Sequence, residues 1–218
     1  AADDACRKIK ARLARFAAER WQTTEDEVQF LPGEVRIGTE KISFEDLIGD
    51  AYMARVPLSA TGFYATPKIH WDRARAKGRP FFYFAYGAAV TEVAIDTLTG
   101  ENRVIRVDIL HDVGTSLNSA IDLGQIEGGY VQGTGWLTTE ELWWNDKGIL
   151  KTHAPSTYKI PVCGDRAPDM RINLWTRGEN SEKTIYRSKA VGEPPLMLAL
   201  SVHQAIVDAI SSVNAYRD

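Results

Sequence analysis

The chain has 218 residues, 44% of them hydrophobic and 25% charged, and its formal net charge is −3. A globular chain of this length can bury on the order of 70% of its unfolded surface, enough for a core without staples. The acidic balance argues against nucleic acid or an anionic membrane as the main partner.

From Asp3 to about Trp21, apolar residues recur at Cys6, Ile9, Leu13, Phe16 and Ala17, the spacing of one helix face. Arg7, Lys8, Lys10, Arg12 and Arg15 read as the solvated face of that helix. The opening Ala1-Ala2-Asp3-Asp4 lacks an initiator methionine, as processing or a start inside a larger protein would leave it. Val28 to Phe30 and Glu34 to Ile37 suggest short strands around the turn pair Pro32-Gly33. Ser43-Phe44-Glu45-Asp46 resembles a capping box, opening a short helix with Phe44, Leu47, Ile48 and Ala51 inward.

Thr61 to Pro67 is a breaker-rich loop, and the segment to Lys77 has no clear period. Pro80 to Asp96 reads as strand material interrupted at Gly87, where a bulge or close backbone approach is expected. A turn at Leu98 to Glu101 leads into a second strand, with Ile105, Val107 and Ile109 on one face and Arg106 and Asp108 on the other. The two strands are expected to pair as an antiparallel hairpin.

Asn118 to Leu142 looks helical, yet it contains Gly124, Gly128, Gly129, Gly133 and Gly135. Each glycine costs about 1 kcal/mol against alanine in a helix interior, so five together cost ~5 kcal/mol, comparable with a domain's net stability. Close approach of another backbone, or of a ligand, is expected to offset that. Gln125 and Gln132 are two turns apart, with Gly128 and Gly129 between them. Two readings follow: a glycine-lined helix crossing, or a floor for a flat, hydrogen-bonding cofactor.

Trp143 to Thr152 reads as a hairpin around Asn145 to Gly148, and Pro155 to Pro161 as a stiffened loop. Met170 to Thr176 and Thr184 to Tyr186 are predicted strands. A final helix is predicted from Pro194 to about Val213, burying Leu196, Leu200, Ile206, Ile210 and Val213. Just before it, Gly192 and Pro194-Pro195 enclose Glu193 in a stiff corner at the positive end of a helix dipole. Such a carboxylate suits a general base, or simply caps the helix.

Cys6 and Cys163 belong to no Cys-x-x-Cys pair, so neither a disulfide framework nor a zinc site follows, and a reducing cytoplasm is expected. The histidines are scattered without metal-ligand spacing, and no protein-ligated metal is expected. No signal peptide or apolar run of membrane-spanning length is read. The expected fold class is α+β, with mixed or antiparallel sheets and packed helices.

Ser188-Lys189-Ala190-Val191-Gly192-Glu193-Pro194-Pro195-Leu196 resembles the C-terminal signature of the xanthine dehydrogenase family of molybdenum hydroxylases. The resemblance extends through Thr61-Gly62-Phe63-Tyr64, Tyr86 to Val93, Asp112 to Asn118, Gly124 to Gly128, Val131-Gln132-Gly133 and Pro155 to Pro161. It covers nearly the whole chain from about Asp50, in order, and leaves residues 22–50 as a poorly matched insertion. It implies that residues 1–218 are a single C-terminal region of a larger molybdopterin-binding domain. It also implies that Glu193 is the base taking a proton from a molybdenum-bound hydroxyl, and that Gln125, with Gly192, lies at the molybdopterin. The pterin dithiolene would hold the metal.

The implied activity is hydroxylation of hypoxanthine and xanthine to urate. The resemblance leaves open another N-heterocycle or an aldehyde as substrate, and a non-catalytic assembly module is the alternative of another class. The cofactor would be shared with an upstream segment. An iron–sulfur (2Fe-2S) and flavin (FAD) portion, with NAD, would belong to the rest of a homodimeric complex. Alone, the chain is expected to be inactive.

Overall fold

The computed structural model describes residues 1–213 and 215. The chain divides into two compact units, Ala1–Ile69 and His70–Asp218.

In the first unit, α1 spans Ala2–Trp21 and buries Leu13, Ala17 and Ala18. Ile9 and Phe16 are half-buried, but Cys6 is exposed, so the inward face starts one turn later than the apolar spacing predicts. Strands β1 (Val28–Leu31), β2 (Glu34–Ile37) and β3 (Glu40–Ser43) form an antiparallel meander. The first turn is made at Gly33, whose φ of +76° only glycine adopts freely. The third strand escapes the sequence pattern because it is short and largely polar.

Helix α2 (Phe44–Met53) starts at Ser43, whose Oγ accepts the N–H of Asp46 at 3.0 Å. Leu47 and Ala51 are buried, whereas Phe44 is exposed and sets its ring edge-on to Phe30. Residues 22–50 thus supply the sheet and most of α2, and share one core with α1: Leu13, Ala17, Val35, Ile37, Leu47 and Ala51. The loop at Thr61 to Phe63 is tied to α1. Lys8 Nζ donates to the Thr61 carbonyl at 3.0 Å, and the Phe63 N–H donates to Asp4 at 3.0 Å. The Lys8 hydrogen bond, seconded by that of Phe63, holds the Asp4 carboxyl below its ordinary value.

The second unit opens with a small hairpin, β4 (His70–Asp72) and β5 (Lys77–Arg79). The predicted strand over Pro80 to Asp96 begins only at Gly87. Residues 80–86 are an irregular aromatic strap in which Phe82 is buried while Phe81, Phe84 and Tyr86 are exposed. Strands β6 (Gly87–Ile95) and β7 (Asn102–His111) form the expected antiparallel hairpin, and β8 (Asp169–Leu174) adds in parallel to β7.

A bulge lies beside Glu92 and Val93, not at Gly87. Glu92 pairs with Arg106 and Val93 with Val104, which leaves Ile105 as the extra residue. The alternation therefore flips there, so that Val104 is buried and Ile105 is 38% exposed. Residues 184–186, predicted as strand, form a one-turn 3-10 helix, Ile185–Arg187, with Tyr186 and Arg187 at positive φ.

Helix α3 (Ser119–Thr138) is capped by Asn118, which accepts the N–H groups of Ala120 and Ile121. The predicted final helix is two pieces, a 3-10 segment Pro194–Ala199 and then α4, Leu200–Ser212. Its fully buried residues are Pro195, Ala199 and Val202; of the predicted stripe, Leu196 and Ile206 are half-buried, with Ile206 packed on the core. Leu200, Ile210 and Val213 are exposed. Pro194–Ser212 is also long and apolar enough to cross a membrane by length and composition alone, a run the sequence reading misses. Its inner face lies in the unit's core with Val107, Ile109, Val113, Ile126 and Tyr130.

Candidate functional site

The segment carrying Glu193 is anchored on both sides. Upstream, Gly114 and Ser188 form an antiparallel bridge. The Lys189 N–H donates to the Val113 carbonyl at 2.8 Å, and the Thr115 N–H to the Arg187 carbonyl at 3.1 Å. Gly114 has φ +63°, and a β-carbon on it would stand 2.3 Å from the Arg187 carbonyl oxygen, so no other residue fits there. Lys189 Nζ meets Asp112 Oδ2 at 2.5 Å, and the two side chains are only 7% and 18% exposed. The Ala190 N–H donates to the Tyr83 hydroxyl at 2.9 Å.

Downstream, Pro195 is fully buried against α3. A β-carbon on Gly129 would lie 3.0 Å from Cβ of Pro195. Gly133 packs as closely on Leu196 and Ala199, and Gly135 on Pro161.

Helix α3 therefore carries two glycine stripes with different uses. Gly129 and Gly133 form the crossing with the 3-10 segment. Gly124 and Gly128, about 140° away around the axis, have nothing within 4 Å of where a β-carbon would be. Gly129 does not belong to a side-chain-free floor between Gln125 and Gln132, because Pro195 covers it. The open floor is the 124/128 stripe.

Gln125 is exposed on α3, and a β-carbon on Gly192 would stand 3.6 Å from its Oε1. Gln125, Gly192 and Glu193 thus come together from segments 67 residues apart. Glu193 occupies the residue before the 3-10 segment without capping it, and among the described residues its carboxylate makes no hydrogen bond or ion pair. It is exposed, and it lies beside the glutamine-bearing helix.

His111, at the end of β7 beside Asp112, is 1% exposed, with neither ring nitrogen hydrogen-bonded. It lies against Gly87, where a β-carbon would come 2.5 Å from Nδ1. Burial pushes its pKa below the ordinary value, with Asp112 opposing and Lys189 adding to the shift. Sequence reading assigns no role to His111, Asp112, Lys189 or Tyr83. Asp112 and Lys189 stand inside quoted motifs, but a pairing across 77 residues leaves no local signal.

Among the described residues no three His, Cys, Asp or Glu gather as a metal site. A cofactor that brings its own metal ligands fits better: the open glycine stripe leaves room for a flat group, and the Gln125 carboxamide can both donate and accept beside it. An open, mainly apolar groove of about 550 Å³ lies elsewhere, lined by Leu142, His153, Pro155, Tyr158 and Ile160 among others, and contains none of the predicted site residues.

Residues 1–167 match the family described as molybdopterin cofactor-binding domain. The chain is 52% identical over 173 residues to xanthine dehydrogenase/oxidase of Felis catus, covering 79% of this chain and 13% of that protein. It is 44% identical over 219 residues to xanthine dehydrogenase of Oryza sativa subsp. japonica, covering 97% of this chain and 14% of that one. The chain thus spans about one-seventh of the length of these relatives. Its fold is shared with quinoline 2-oxidoreductase from Pseudomonas putida 86, with a TM-score of 0.68 at 24% identity, over 95% of this chain and 26% of the other. The match over residues 1–167 shows the family: the chain belongs to the molybdopterin cofactor-binding domain family.

Proposed function

We propose that the chain is part of the molybdenum-binding region of a xanthine dehydrogenase, hydroxylating hypoxanthine and xanthine to urate. The carrying observation is the placement of Glu193: unpaired among the described residues, fixed between two anchors, and adjacent to Gln125 through Gly192. The identity to xanthine dehydrogenases supports the reaction class.

In this reading Gln125 and the Gly124/Gly128 stripe hold the pterin. Glu193 accepts the proton released as water-derived oxygen is transferred to the purine carbon. When bound, the molybdenum cofactor supplies the two-electron acceptor and activates that oxygen. The chain's own contribution is position: a carboxylate with no internal partner is free to take a proton, and two anchors keep it from wandering. The remaining pocket comes from an upstream segment of the molybdenum domain, and electrons leave through an iron–sulfur and flavin portion of the complex.

The test is xanthine turnover by the complete enzyme carrying Glu193→Ala or Glu193→Gln, with bound molybdenum measured alongside. Loss of about 10²- to 10⁴-fold in kcat with metal retained is expected. Unchanged turnover overturns the assignment.

A further inference from the structure

We propose that the buried Lys189–Asp112 ion pair is a positioning clamp that sets where Glu193 stands; this rests on the reading of Glu193 as the base. Lys189 is four residues upstream of Glu193, and its ammonium meets Asp112 Oδ2 at 2.5 Å with 7% of the lysine side chain and 18% of the aspartate exposed. Asp112 is itself fixed, because its Oδ1 accepts the Gly114 N–H at 2.8 Å. The lysine also lies over the Tyr86 ring, 5.3 Å from its centre. The pair joins the end of β7 to the 188–193 segment, where the Lys189 N–H donates to the Val113 carbonyl and the Ala190 N–H to the Tyr83 hydroxyl alongside it.

A buried ion pair is weak evidence for net stability, since an apolar pair of similar volume often serves as well. What such a pair supplies is geometry: a lysine with its charge buried has few places to go, and its backbone follows. Between Lys189 and the buried Pro195, the five residues 190–194 have little slack, and Glu193 is one of them. Loss of the ion pair leaves the upstream end held by the backbone donors of Lys189 and Ala190 alone, to the Val113 carbonyl and the Tyr83 hydroxyl, and Glu193 is fixed less closely.

The experiment uses the complete molybdenum enzyme with Lys189→Met, Lys189→Arg and the apolar pair Lys189→Met with Asp112→Leu. Amide hydrogen exchange over 188–193, kcat, KM, melting temperature and bound molybdenum are measured together, with Glu193→Ala in parallel. In Lys189→Met we expect faster exchange in 188–193, kcat lower by about 10- to 100-fold and KM essentially unchanged at full metal occupancy. Lys189→Arg recovers part of the turnover. The apolar pair recovers melting temperature but not kcat, which a purely structural role would not produce.

Wild-type exchange in Lys189→Met, or wild-type kcat in the apolar pair, overturns the clamp. Should Glu193→Ala keep full turnover, the base reading falls, and the exchange data still decide whether Lys189 holds the segment.

Discussion

Gly133 of α3 sits so close to Leu196 that a β-carbon on it would stand 2.5 Å from the Leu196 carbonyl oxygen and 2.6 Å from Cβ of Ala199. Backbone cannot yield as a flexible side chain does. Gly133→Ala therefore destabilises the chain by about 1–3 kcal/mol through overpacking, despite alanine's better helix propensity. Denaturant unfolding measures this, and a neutral effect would contradict the crossing geometry.

Gly128 predicts the opposite sign. Nothing lies within 4 Å of its would-be β-carbon, so Gly128→Ala should stabilise α3 by up to about 1 kcal/mol. If the stripe is the pterin floor, the same methyl group lowers molybdenum content of the complete enzyme. Higher stability with full metal would show that the floor is not used.

Tyr130 is 1% exposed and its hydroxyl meets Thr91 Oγ1 at 2.8 Å. Thr91 in turn meets Ser201 Oγ at 2.7 Å, joining α3, β6 and α4. Burial holds the Tyr130 phenol above its ordinary value, so it stays neutral. Tyr130→Phe should cost about 0.5–1.5 kcal/mol, because Thr91 keeps Ser201 as a partner and no hydroxyl is left orphaned. A loss well above that range in thermal unfolding would argue against this geometry.

His111 sets an acid limit on stability. Its folded-state pKa is lowered, chiefly by burial, so the unfolded chain binds the proton more readily. The neutral-histidine contribution is fully present above the ordinary value near 6.5 and is lost as pH falls below it. Melting temperature should therefore decline from pH 7 toward pH 5, and His111→Leu should flatten that slope. An unchanged slope in the variant would assign the acid sensitivity elsewhere.

Much of this was legible from residues alone where the signal is local. Ser43 announces its cap, the β6–β7 hairpin follows from alternation around a turn, and the glycine content of α3 requires a close neighbour. The failures have tertiary causes. Pro80 to Tyr86 has strand composition, yet its carbonyls find side-chain partners, as where Arg79 Nη2 donates to the Phe82 carbonyl at 3.0 Å. In the last helix the core-facing Ile206 is legible from apolar spacing, whereas Pro195 and Ala199 are not, because a proline and an alanine carry little apolar-periodicity signal. Glu193 was conspicuous from its flanking glycine and prolines. Its neighbour Gln125 could be linked to it only by folding the chain.

The glycine-rich composition of α3 also bears on folding order. With five glycines between Gly124 and Gly135, the helix has little tendency to form by itself and depends on the 3-10 segment docking along its Gly129/Gly133 side. That docking piece begins at the residue after Glu193. Helix formation and placement of the Glu193 carboxylate are consequently coupled: a chain without α3 lacks the face on which the segment following Glu193 docks.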